Sequence, residues 1–440
     1  PNGDMSMTAA RLTAANLEHR FSLVAEVDRA DDFDTPSGTI TPSGLSRDRY
    51  DLSYAYSDGK SDFLLFAGRL DTEDTGTPAL PMDIIYIDTD IYGAQFSHQL
   101  APSFSVSAKL GYNDVEHLMD NFALRPPPST PMQYRQNLTA GSGTNFDVAG
   151  EYDSEAAIVE FGIDGRLAEH EAQISNPNNP QFFVDNFVDL QRDTLGAYAV
   201  FGFEREASNW EFGVRYNRVS AETGAVASAG MMPMMQPKVD ALADSFNAAN
   251  RSLDYNTVDA VLKYRHTLSN NVDLHLNLGS KARAPSYQEL YLWLPLPATG
   301  GLADGRSYIG NLGLEEERSN EVSLGLDWSG EHFGFSPQVY FRDVSDYIQG
   351  VASSNMLANM VATMMSGQGA LEFSNVDAEI YGFDLGWHYR LTDSLHIDGT
   401  VAYTRGKRTD IADNLYRLPP LNASFGVNYS ASAWSVRGEV

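Results

Sequence analysis

The amino-acid sequence predicts an all-β chain, a transmembrane antiparallel β-barrel with long extracellular loops and short helices within them. Three observations carry this. Residues alternate in character with a period of two, the mark of strands with two unlike faces. About 18 such segments follow one another along the 440 residues, each near the ~10 residues that a tilted spanning strand needs. Short polar turns and long connections then take turns in joining them, which is the connectivity of membrane barrels.

The segments come in order along the chain. Tyr50, Leu52, Tyr54 and Tyr56 alternate with Asp51, Ser53, Ala55 and Ser57. Tyr92, Ala94, Phe96 and His98 form the next clear set, followed by Phe104, Val106, Ala108, Leu110 and Tyr112. Trp210, Phe212, Val214 and Tyr216 come later, then Val258, Ala260, Leu262 and Tyr264, and then Val322, Leu324, Leu326 and Trp328. In Ile380, Gly382, Phe383, Leu385 and Trp387 the alternation skips once. Polar turns include Ser57-Asp58-Gly59-Lys60, Glu206-Ala207-Ser208-Asn209, Leu268-Ser269-Asn270-Asn271, Ser329-Gly330-Glu331-His332 and Leu391-Thr392-Asp393-Ser394. Residues 28–48, 123–143, 219–254, 283–319 and 349–374 are the long connections. Residues 238–249 read as a short helix, and Met356, Met360 and Met364 stand at helical spacing. A soluble sandwich would not repeat such long loops so regularly. A propeller would show a fixed repeat of about 40–50 residues, which is not seen.

Composition narrows the function. The net charge is −29, which argues against nucleic acid as a partner and favours cations. The absence of cysteine excludes disulfides, Cys-ligated zinc, iron–sulfur clusters and thiol nucleophiles. There is no apolar run of about 18 residues, so no helical span is expected. Both ends read as cut, at Pro1 and in mid-pattern at Val440, and no linker divides the chain. One barrel domain over residues 1–440 is expected, truncated at both ends.

Four motif blocks then match a family. Lys281-Ala282-Arg283-Ala284-Pro285-Ser286-Tyr287-Gln288-Glu289-Leu290-Tyr291 carries an Arg-x-Pro strand end followed by Glu-Leu. Gly310-Asn311-Leu312-Gly313-Leu314 leads through Glu317 into the strand at Val322. Asn375 through Gly382 fits an Asn…Ala…Gly strand start, with Ala378 one place early. Leu418-Pro419-Pro420-Leu421 precedes the last strands. In this order the blocks resemble those of TonB-dependent outer-membrane receptors, with Arg283, Pro285, Glu289, Gly310, Asn311 and Glu317 as the signature residues. The resemblance implies a barrel of about 22 strands around an N-terminal plug. It also implies outer-membrane lipid and lipopolysaccharide as surroundings, and energy from the TonB–ExbB–ExbD complex through a region upstream of this chain.

The stretch Thr77–Ile84, with Asp88-Thr89-Asp90 and Asn113–Asn121, looks like the copper receptors of that family. In that subfamily a His-x-Met pair on the barrel supplies copper ligands. Here the pair is His117 and Met119. On a strand, residues i and i+2 share a face, so both can address one ion. Thioether sulfur favours Cu(I), and imidazole suits copper in either state. Asp114, Glu116 and Asp120 are expected to draw cations towards the pair. Met231, Met232, Met234 and Met235 form a further thioether cluster in a long connection, where Pro233 opposes a helix. The remaining subfamily ligands, a Cys and a Met, belong to the plug, so weak copper binding is expected of this chain alone.

No carboxylate pair, catalytic triad or phosphate-cradling loop is found, and no enzyme activity or catalytic cofactor is expected. Glu169-His170-Glu171 reads as solvated surface. The alternative cargo is an iron-siderophore or other organic ligand, met by an aromatic surface at Tyr291-Leu292-Trp293 with Leu294-Pro295-Leu296-Pro297.

Overall fold

Period-two alternation becomes a single twisted sheet in which every long strand pairs antiparallel with its neighbours in sequence. The structure is a computed structural model and describes residues 3–296 and 304–440. Among these, 18 long strands run from Ser6–Ala15 to Ser435–Glu439. Turns of two to four residues join them at one end, such as residues 58–60, 206–207 and 391–394. Connections over 31–44, 76–82, 121–135, 176–182, 223–251, 284–316, 353–370 and 409–421 join them at the other. The expected count and connectivity are therefore present. Strands reach further into the loops than expected, and Gln136–Asp153 begins well inside the stretch read as connection.

The two faces differ as a membrane requires. Phe212, Val214 and Tyr216 are exposed at alternate positions, as are Leu110 and Tyr112, Phe161 and Ile163, and Val339 and Phe341. Cross-strand register makes the band continuous: exposed Val322 lies opposite exposed Leu278 on one side and Phe341 on the other. The intervening residues are polar and paired. Arg215 donates to both carboxylate oxygens of Asp164 at 2.6 Å, and Arg342 donates to Glu321 at 2.6 Å. Apolar outside and polar inside is the pattern of a barrel in lipid.

Aromatic rings gather near the short turns, as at a membrane interface. Trp210 lies 4.3 Å from Tyr264, Trp328 lies 5.5 Å from Phe335, and Tyr429 lies 5.3 Å from Trp434.

The opposite end holds the buried core. Helix α1 (Gln236–Ala248) follows Met235, with Pro237 in its first turn. Residues 284–316 contain α2 (Tyr287–Tyr291), and 353–370 contain α3 (Met356–Ser366). Asn355 caps α3, accepting from the Ala358 N–H, and Gly367 ends it in the left-handed region at φ 76°. Val239, Leu242 and Ala243 of α1 and Ala358, Val361 and Ala362 of α3 join Trp293, Leu294, Ile174 and Val184 in one apolar cluster. The long connections thus fold as a packed layer over the outer ends of the strands.

Candidate functional site

His117 and Met119 lie near the outer end of the strand Phe104–Asp120. Leu110 and Tyr112 on that strand face lipid, so Asn113, Val115, His117 and Met119, at odd steps from them, face the lumen. Both side chains are half-buried. Met119 packs against the apolar cluster of the loop layer. Nε2 of His117 is buried and has no hydrogen-bond partner among the described residues. The pair therefore sits where the lumen wall meets the underside of the loops.

The neighbouring carboxylates have other tasks. Asp114 and Glu116 alternate onto the outer face, and Glu116 accepts from the Tyr86 hydroxyl at 2.6 Å. Asp120 is buried and accepts from the N–H groups of Phe122 and Ala123 at 3.0 and 2.8 Å. None of the three shares the inward face of His117 and Met119, because period-two alternation applies to them as much as to the pair. A fully buried Asp83 ties down the flanking loops: Arg125 donates to its two oxygens at 2.6 Å and to the Leu80 carbonyl at 3.0 Å. The Asp83 carboxylate holds the Arg125 guanidinium above its ordinary pKa.

The methionine cluster at 231–235 divides. Met235 is 1% exposed and sits in the core of the loop layer, and Met231 packs on the same core. Neither is an open thioether. Met232 and Met234 are exposed, Met234 by 71%. Helix α3 forms where helical spacing predicts it, but its packed face is Ala358, Val361 and Ala362. Its methionine stripe is left outside, and Met356, Met360 and Met364 line one shallow cleft with Met234 and Lys238.

The signature residues meet in one knot. Arg283 donates to both oxygens of Glu289 at 2.8 and 3.1 Å and to both of Glu317 at 2.7 and 2.8 Å. Glu289 also closes the capping box of α2 with Ser286, and Glu317 accepts from the Ile348 N–H at 2.7 Å. The Pro285 carbonyl accepts from Arg192 at 3.3 Å. Asn311 donates to the Phe373 carbonyl at 3.1 Å, and its N–H donates to the Glu289 carbonyl at 2.9 Å. Gly310 passes so close to the α2 segment that a Cβ would stand 2.5 Å from the Leu290 carbonyl oxygen and 2.8 Å from the Leu292 nitrogen. Backbone cannot yield as a side chain tip does. Gly310→Ala is therefore expected to cost at least about 1–3 kcal/mol, read as a lower denaturant midpoint.

Two further expectations are corrected. Tyr291, Leu292, Trp293, Leu294 and Leu296 are all buried, and the Trp293 indole donates to the Asp185 carbonyl at 2.7 Å. They form core and offer no open aromatic surface; Pro297 lies outside the described residues. His170 packs between Phe187 and Tyr287 at 5.3 and 5.1 Å and is not solvated surface. Among the described residues no group of three His, Cys, Asp or Glu side chains is disposed to hold a metal.

Comparison with known proteins agrees with this architecture. The family model "TonB dependent receptor-like, beta-barrel" matches residues 30–440. The chain belongs to that family, and its place is the bacterial outer membrane. No curated protein matches. Among solved structures, the chain is similar to the copper transporter OprC, with a TM-score of 0.79 and 21% identity over 100% of this chain and 67% of that one. It is also similar to the FrpB iron transporter from Neisseria meningitidis (TM-score 0.66, 12% identity, 99% of this chain and 67% of that one). The ferric yersiniabactin uptake receptor FyuA from Yersinia pestis gives a TM-score of 0.65 at 12% identity, over 99% of this chain and 66% of that one. At these identities the likeness is one of fold.

Proposed function

We propose that the chain is the barrel of a TonB-dependent importer whose cargo is copper, held from the barrel side by His117 and Met119. One observation carries the reading: a lumen-facing imidazole with a buried, unpartnered Nε2 stands two residues from a thioether on the same face. A buried nitrogen without a partner is costly, and a metal ion relieves that cost. Imidazole with thioether is a donor set for copper and not for an oxygen-loving ion. The fold likeness to a copper transporter supports the same cargo. Met232 and Met234, with the exposed stripe of α3, add soft sulfur at the outer surface, where passing Cu(I) would be met. The family's plug and the TonB complex complete the transport cycle in this reading. Import of an iron chelate loses its sequence argument, because the Tyr291–Leu296 segment is buried.

The test is a copper isotherm on the full native chain in detergent, with copper-dependent uptake in cells. His117→Ala and Met119→Ala should each weaken binding by about tenfold or more and slow uptake. Wild-type affinity should fall as pH drops through the imidazole range, since a proton competes for Nε2. Unchanged affinity in both variants, or uptake of a ferric chelate that copper does not affect, sinks the assignment.

A further inference from the structure

A second buried atom without a hydrogen-bond partner stands beside the first: Oδ1 of Asn137. The strand Gln136–Asp153 pairs with Phe104–Asp120 so that Asn137 lies opposite Met119, and Thr139 lies opposite His117. Opposite residues of an antiparallel pair share a face, with Cβ atoms about 4.5–5.5 Å apart, and diagonal ones lie about 7–8 Å apart. His117, Met119, Asn137 and Thr139 therefore make a two-by-two block on the lumen wall.

The amide in this block is held. Its Nδ2 donates to Thr139 Oγ1 at 3.2 Å, which fixes the amide plane and turns Oδ1 away from that hydroxyl. Nε2 of His117 and Oδ1 of Asn137 are thus diagonal to each other on one face of this block, and neither has a hydrogen-bond partner among the described residues. A cation bound over this face, against the sulfur of Met119, would meet both atoms.

We propose that Asn137 is a third barrel donor, its Oδ1 joining His117 Nε2 and Met119 sulfur as the barrel's nitrogen, sulfur and oxygen share of the cargo ion's ligands. This rests on the copper reading above. A neutral amide adds no charge, so it shapes the site without trapping the ion. Amide oxygen is the hardest of the three donors, so it contributes more to Cu(II) than to the softer Ag(I), the stable stand-in for Cu(I). Thr139 is a positioning residue, acting through the amide.

The experiment is titration of the full native chain in detergent with Cu(II) and, separately, with Ag(I). Asn137→Ala should weaken Cu(II) by about tenfold and Ag(I) distinctly less. Asn137→Asp, which keeps an oxygen and adds charge, should tighten Cu(II). Thr139→Val should weaken Cu(II) less than Asn137→Ala does. Metal-free thermal unfolding checks each variant; if Asn137→Ala does not fold, Asn137→Asp decides by its Cu(II) affinity. Unchanged or uniformly lowered affinity for both ions in Asn137→Ala, or no tightening in Asn137→Asp, overturns the assignment of Asn137. If His117→Ala and Met119→Ala weaken copper while Asn137 variants do not, only this inference falls. If those two variants also leave copper untouched, the copper reading falls first.

Discussion

Replacing Arg283 with alanine is expected to destabilise the barrel by about 3 kcal/mol, the lower end of what breaking a buried ion pair costs. The lower end applies because the guanidinium is 43% exposed, whereas its partners Glu289 and Glu317 are 14% and 13% exposed. Without Arg283 two nearly buried carboxylates face each other with no countercharge. Each still has one backbone donor, at Ser286 and Ile348, which limits the loss. Because Arg283 joins the end of the strand Val272–Arg283 to the start of Glu317–Ser329, the 284–316 connection should loosen with it. Denaturant titration of refolding into lipid vesicles measures the loss. Arg283→Lys should recover little, since an ammonium cannot fork between two carboxylates. A stability unchanged by Arg283→Ala would show that the knot is ornamental to the fold.

Val214→Arg is expected to cost about 2–4 kcal/mol in the same assay, the depth-dependent cost of a cation at mid-bilayer on the lipid face of a barrel. Val214 lies between Phe212 and Tyr216 in the exposed apolar band and opposite Ala199 and Ala260. Val214→Leu should be neutral. A cost confined to a few tenths of a kcal/mol in Val214→Arg would place this face in water and contradict the membrane assignment.

Much of this was legible in the sequence, and the reason is geometric. Period-two alternation reports which residues share a face, so strand number, the turn-and-loop alternation and the common face of His117 and Met119 could all be read directly. The same rule, applied to Asp114 and Glu116, would have turned them outward; their nearness in sequence was misread as nearness in space. Burial within the loop layer was not legible. Met235 and Trp293 are core, and half-buried His170 packs on Tyr287, because connections distant in sequence fold onto one another, and no local pattern encodes that. Likewise, helical spacing placed α3 but could not say that its alanines and valine, and not its methionines, form the buried face. Asn137 carried no signal as a lone asparagine at a strand start. It gains meaning only from the register that sets it opposite Met119.

The central claim is that copper sits against His117 and Met119 on the lumen wall. X-ray absorption at the copper edge, on the copper-loaded full native chain, tests it most directly. The account predicts sulfur and imidazole nitrogen in the inner coordination shell, with the imidazole signal lost in His117→Ala and the sulfur signal reduced in Met119→Ala. An inner shell unchanged by either substitution, or one made of oxygen alone, would contradict it.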